Sequence, residues 1–185
     1  MTEIISHPGK LLVFHLREVA DFCAETIESK SLGLDIPKDV LSKLAFIQGS
    51  VHDIGKATKN FQTYIRSEGK IVIRPKHHAL ISAFLAKSIV TEFLKDTNLS
   101  KFDKELLPYF IFTSVKRHHG NVLNFDFELK TIGNKKDDLK ILTINFYDDE
   151  VQMILDELLG GIGITYDWQS FKSVSYTHLT LPTKT

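Results

Sequence analysis

The chain has 185 residues, 43% hydrophobic and 25% charged, which suits one soluble domain with a sizeable core and excludes a disordered chain. Lys+Arg and Asp+Glu are both 23, so a globally basic nucleic-acid-coating protein is excluded, although a local basic patch is not. The single cysteine, Cys23, excludes an intrachain disulfide; the longest apolar stretch, around Leu106 to Val115, is too short for a bilayer, and MTEIISHPGK is no signal peptide, so a cytoplasmic protein without a membrane partner is expected.

Most of the chain reads as helix, and the expected class is all-α. Leu12, Leu16, Val19, Cys23 and Ile27 recur at helical steps and give one apolar face, with Cys23 in the core. Val40, Leu44, Ile47 and Val51 do the same after Pro37, which marks an N-terminal boundary. Ile81, Leu85 and Ile89 continue the period after Pro75. Leu107, Phe110, Ile111, Ser114 and Val115 mark a helix expected to stop at Gly120. Between about Leu123 and Tyr147 two short alternating runs suggest a small β-hairpin insertion. Val151, Ile154, Leu155, Leu158 and Leu159 mark a last helix closed by Gly160-Gly161. The ending SVSYTHLTLPTKT resembles translated sequencing-adapter read-through. The expected division is a domain over 1–172, cut short at its C-terminus, and a non-native tail over 173–185.

Eight histidines stand in an uneven arrangement. His52-Asp53 follow the stripe ending at Val51, so both sit at the inner end of a helix. His118 continues the stripe of Ser114 and Val115, and His119 can swing toward the same point as the helix ends. In the pair His77-His78, His78 shares a face with Ser82, Leu85 and Ile89, so His78 is the inward member and His77 a surface residue. His15 lies at the edge of the first apolar face. Burying so many imidazoles without a partner is costly, and a shared metal centre relieves that cost. The ligand types suit one or two divalent transition metals: Mn, Fe, Co or Ni, with Mg or Zn as further options. His7 and His178 lie outside the pattern.

The order His15, His52-Asp53, His78, His118-His119 resembles HD-domain metal-dependent phosphohydrolases. The local text narrows the resemblance. HDIGKATKNFQTYI, residues 52–65, is similar to the segment of CRISPR-associated Cas3 nuclease domains where the HD pair is followed by Gly-Lys and then Phe-Gln. HALIS (78–82), HHG (118–120) and FHLREVADF (14–22) are similar to the family's other histidine motifs. The resemblance implies an HD-domain helical bundle that cuts single-stranded DNA. It acts with a Cas3-type helicase, fused or separate, and a CRISPR RNA-guided surveillance complex. Carried over, His15, His52 and Asp53 hold one metal; Asp53, bridging, holds the second with His78, His118 and His119. Asp53 and Lys56 are the implied catalytic residues, Lys56 standing beside the metals. The family's further aspartate has no convincing match, since Asp156 and Asp167 both stand in the wrong context.

Two divalent ions a few ångströms apart clamp a phosphodiester, activate a water and stabilise charge on the leaving oxygen. Lys56, Lys59, Arg66, Lys70, Arg74 and Lys76 face one acid, Glu68, with Phe61 and Tyr64 interleaved. Such a stretch suits a single strand through phosphate attraction and base stacking, the competing reading being a solvated helix face with Phe61 in the core. Two other functions remain open at this level: an HD phosphohydrolase acting on nucleotides or cyclic nucleotides, and an inactive metal-binding interaction module.

Overall fold

The computed structural model describes residues 3–74, 78–121 and 145–172. Lys76, His77, the tail from Ser173 and nearly all of the hairpin expected near 123–147 lie outside the described residues. The architecture is helical, with one small antiparallel hairpin at the N-terminus: β1 (Ile5–His7) and β2 (Lys10–Leu11). The helices follow as α1 (Leu12–Glu28), α2 (Lys38–Val51), a 3-10 turn (Ile54–Ala57), α3 (Lys59–Arg66), α4 (His78–Lys95), α5 (Lys101–Lys116) and α6 (Asp148–Gly160). A further helical stretch begins at 168. Among the described residues, no helix is long and apolar enough to cross a membrane.

The hairpin and α3 escape a periodicity search, because both are too short to show a period. Local signals do mark them. Pro8-Gly9 makes the hairpin turn, where Gly9 takes φ +77°. Thr58 caps α3 by accepting the amide of Phe61. Ser100 does the same for α5, accepting the amide of Asp103 at 3.1 Å.

Helices α1 and α2 lie antiparallel: His15 near the start of α1 meets the end of α2, while Glu28 accepts from Ser42 near the start of α2 at 2.9 Å. Their close approach depends on Gly49, because a Cβ there would lie 2.5 Å from the Ala20 Cα. Leu12, Leu16 and Ala20 are buried, whereas Cys23 is only half-buried. Helices α4 and α5 form the second pair, with Phe84 and Phe112 ring centroids 5.0 Å apart.

Ile81, Leu85 and Ile89 are buried as their period predicts. Phe110, expected on the inner stripe of α5, is instead 61% exposed. The stripe runs through Pro108, Ile111, Phe112 and Val115, and at about 100° per residue Phe110 falls on the far side. Helix α5 also ends at Lys116, earlier than Gly120, and 117–120 form a turn closed by Gly120 N donating to Arg117 O at 2.8 Å.

Helix α6 buries Val151, Ile154, Leu155, Leu158 and Leu159, and its first turn carries Asp148, Asp149 and Glu150, which suit the positive helix N-terminus. Trp168, fully buried, donates from Nε1 to Asp148 Oδ1 at 2.7 Å. The approach to α6 is strapped to the 3-10 turn: Lys59 N donates to Asn145 O at 2.7 Å and Tyr147 N to Ala57 O at 3.1 Å. Gly49→Ala is expected to force α1 from α2 and cost about 1–3 kcal/mol. Urea unfolding followed by circular dichroism measures this, and an unchanged midpoint would contradict the close contact.

Candidate metal centre

The centre is built outward from Asp53. Helix α2 ends at Val51, His52 caps it, and Asp53 stands between it and the 3-10 turn. Val51 and Ile54 are both fully buried, which drags the intervening carboxylate inside to 2% exposure. Gly55 lets α4 come close. A Cβ there would sit 2.3 Å from His78 O and 2.8 Å from His78 Cα. Ser82 fixes the same joint: Gly55 N donates to its Oγ at 2.9 Å, and that Oγ donates to His78 O at 2.9 Å. The glycine and serine of the sequence motifs are therefore what bring His78 to Asp53.

Two donor sets share that carboxylate. On Oδ2, His15 Nε2 lies at 3.0 Å, His52 Nε2 at 3.4 Å and Lys56 Nζ at 2.8 Å. On Oδ1, His78 Nε2 and His118 Nε2 each lie at 3.1 Å. His119 joins the second set through His78, Nε2 to Nε2, at 3.1 Å. Within each set, Asp53–His78–His118–His119 and His15–His52–Asp53, the donor atoms lie within 4.8 Å of one another.

The donor chemistry fits a cation. His52 Nδ1 donates to Gly49 O at 2.8 Å, and His118 Nδ1 donates to Val115 O at 2.6 Å. These bonds hold each Nδ1 as a donor, so Nε2 faces Asp53 as a lone pair in the neutral ring and as a second donor in the protonated one. Lone pairs facing carboxylate oxygens repel unless a proton or a metal lies between. Two nitrogens at 3.1 Å also match a cis pair on a metal with bonds of about 2.0–2.1 Å, whose edge is about 3 Å.

Titration follows the packing. Burial pushes the Asp53 carboxyl up, but hydrogen bonds from His118, His52 and His78 outweigh it and hold the group far below the usual carboxylate range. Burial lowers His15, His78 and His119 below their ordinary value of 6.5. Burial also opposes the charge on His118, yet its bonds to Asp53 and Val115 prevail and raise it.

All six metal-ligating residues expected from the sequence (His15, His52, Asp53, His78, His118 and His119) thus meet at one point. The basic stretch divides. Lys56 is 5% exposed and ion-paired to Asp53, apart from the surface residues. Lys59, Arg66, Lys70 and Arg74 are exposed, and Arg66 bonds Glu3 O. Phe61 is buried with its ring 5.1 Å from that of His78, so it offers no free face to a base. Asp156 lies on the outside of α6, and Asp167 caps the stretch at 168 by accepting the amides of Gln169 and Ser170 at 3.0 and 3.1 Å. Neither stands in the donor sets.

His7 requires correction: expected outside the pattern, it lies edge-on to His15 with ring centroids 5.2 Å apart. Only the hairpin delivers it, and the sequence signal for that hairpin was Pro8-Gly9.

A family model described as Cas3, HD domain, matches residues 6–172 of the chain. No curated protein and no solved structure matches it.

Two outcomes are expected. Gly55→Ala should push His78 from Asp53, costing about 1–3 kcal/mol and weakening manganese binding in the same variant, as calorimetry reads. The metal-free chain should lose stability on acidification from about pH 7.5 to 5.5. His15, His78 and His119 are lowered, so the unfolded chain binds protons first and folding weakens as pH falls through 6.5. His118 acts in the opposite sense, and Asp53 contributes steadily across this window. A thermal midpoint in chelator that rises toward pH 5.5 would contradict the balance.

Proposed function

The chain belongs to the Cas3 HD-domain family, a family of metal-dependent hydrolases, and from that premise we propose that it is a nuclease cutting single-stranded DNA in CRISPR interference. The observation that carries this reading is the sharing of one buried carboxylate, Asp53, between two sets of imidazoles. His15, His52 and Asp53 would hold one divalent cation, and Asp53, His78, His118 and His119 the other. When bound, such cations supply Lewis acidity and a water activated at neutral pH.

The chain's own residues supply the rest. Asp53 stays ionised and offers one oxygen to each set. The carbonyls of Gly49 and Val115 hold His52 and His118 in the ligand tautomer. Lys56, against Oδ2, balances the carboxylate and places a cation where a phosphate oxygen would approach. His119 is exposed and the other rings are partly so, which leaves the centre open to a polymer rather than closed over a base. Lys70 and Arg74 flank exposed Ile71, Val72 and Ile73 in the segment leading toward His78. That surface suits a flexible strand of phosphates and bases. The partners proposed with this reading are a Cas3-type helicase that delivers the strand and an RNA-guided surveillance complex in the cytoplasm that selects it.

The test is cleavage of circular single-stranded DNA by the purified chain with manganese, nickel or cobalt. Metal-dependent cutting is expected, and Asp53→Ala should lower it at least about 100-fold along with metal retention. Unchanged cutting by Asp53→Ala would overturn the site. Hydrolysis of nucleotides with no action on DNA would instead identify a nucleotide phosphohydrolase, and metal binding without any turnover an interaction module.

A further inference from the structure

His7 is held in place from two sides. Leu12 N donates to Ile4 O at 2.8 Å, so the hairpin runs directly into α1, which carries His15. Gln62, buried under the hairpin, pairs with both backbone groups of Ile5: Ile5 N donates to its Oε1 at 3.1 Å, and its Nε2 donates to Ile5 O at 2.8 Å. The same Nε2 donates to Lys56 O at 2.8 Å. The hairpin is thereby tied to the turn that follows Asp53.

The ring state follows from proton counting. Ser6 Oγ donates its one proton to Lys10 O at 3.3 Å. His7 Nδ1, 3.2 Å from that Oγ, must then be the donor to it. His7 is left with a lone pair on Nε2, the same state in which Gly49 O holds His52 and Val115 O holds His118. Its ring also keeps the spacing of its neighbours. His7 to His15 is 5.2 Å between centroids, His15 to His52 is 5.1 Å and His52 to His118 is 5.2 Å. His7 therefore extends the arc of imidazoles at the end where the donor set has three members; its own nitrogens lie outside the 4.8 Å grouping of His15, His52 and Asp53, so a turn of the exposed ring is needed to bring Nε2 to that set.

We propose that His7, through Nε2, is a further ligand of the cation held by His15, His52 and Asp53. The inference rests on the reading of the cluster as a metal centre. A set containing three imidazoles and one carboxylate favours a transition cation over magnesium.

Cobalt(II) titration of the full chain tests it, read by visible absorption and calorimetry. The wild-type chain should take up cobalt at both donor sets. His7→Ala should weaken one of the two by about tenfold or more, with altered absorption bands and the other site unchanged. His7→Asp should recover most of the affinity with a third spectrum, because a carboxylate replaces an imidazole. His7 is exposed, so the alanine variant should keep the wild-type thermal midpoint in chelator. Wild-type affinities and spectrum in His7→Ala would overturn this inference and leave the centre intact. A lowered midpoint with an unchanged spectrum would make His7 structural and overturn it equally. A wild-type chain that binds no cobalt would overturn the centre itself.

Discussion

Asp53 keeps its negative charge at 2% exposure, with one oxygen facing His15, His52 and Lys56 and the other facing His78 and His118. Removing such a charge from water costs several kcal/mol unless partners surround it. The fold is arranged to supply them. Helix α1 brings His15, α2 ends on His52, α4 begins on His78, and the turn after α5 carries His118 and His119. The antiparallel pairing of α1 with α2, and the packing of α4 on α5, set these four element ends around a single point.

Several residues that touch no donor atom serve that convergence. Gly49 lets α1 and α2 approach, and Gly55 lets α4 lie on the 3-10 turn. Ser82 satisfies the buried Gly55 amide. Gln62 clamps the N-terminal hairpin to Lys56, and Thr58 ties the start of α3 back to Gly55 O at 3.0 Å. These contacts explain why a glycine stands two residues after Asp53, why a glutamine follows Phe61, and why a serine stands four residues beyond His78. Gly49, Gly55, Ser82, Thr58 and Gln62 are small, hydroxyl or amide side chains at places where backbone must meet backbone.

The charge distribution separates two roles within one basic stretch. Lys56 is inside, paired to Asp53, where desolvation strengthens its field on the carboxylate. Lys59, Lys70 and Arg74 are outside, where screening by salt leaves them a softer attraction for phosphates. Phe61 belongs to the core, so its contribution is to support the ring of His78.

The sequence by itself determined the helical class, the inner faces of α2, α4 and α6, and the histidines and aspartate that share a site. Those features are periodic or local: an apolar stripe fixes which way a helix turns, and a polar residue at its inner end is carried with it. Phe110 shows the limit, because one residue of drift in a helical phase moves a side chain from core to solvent. Tertiary structure alone decided that Asp53 divides its oxygens between two donor sets, that Lys56 is buried while its neighbours are not, and that His7 reaches His15. Each of those depends on contacts between residues far apart in the chain, through a hairpin and a turn too short to leave a period. Their positions are set by close packing across Gly49, Gly55 and Gln62, and packing of that kind has no signature in a linear pattern.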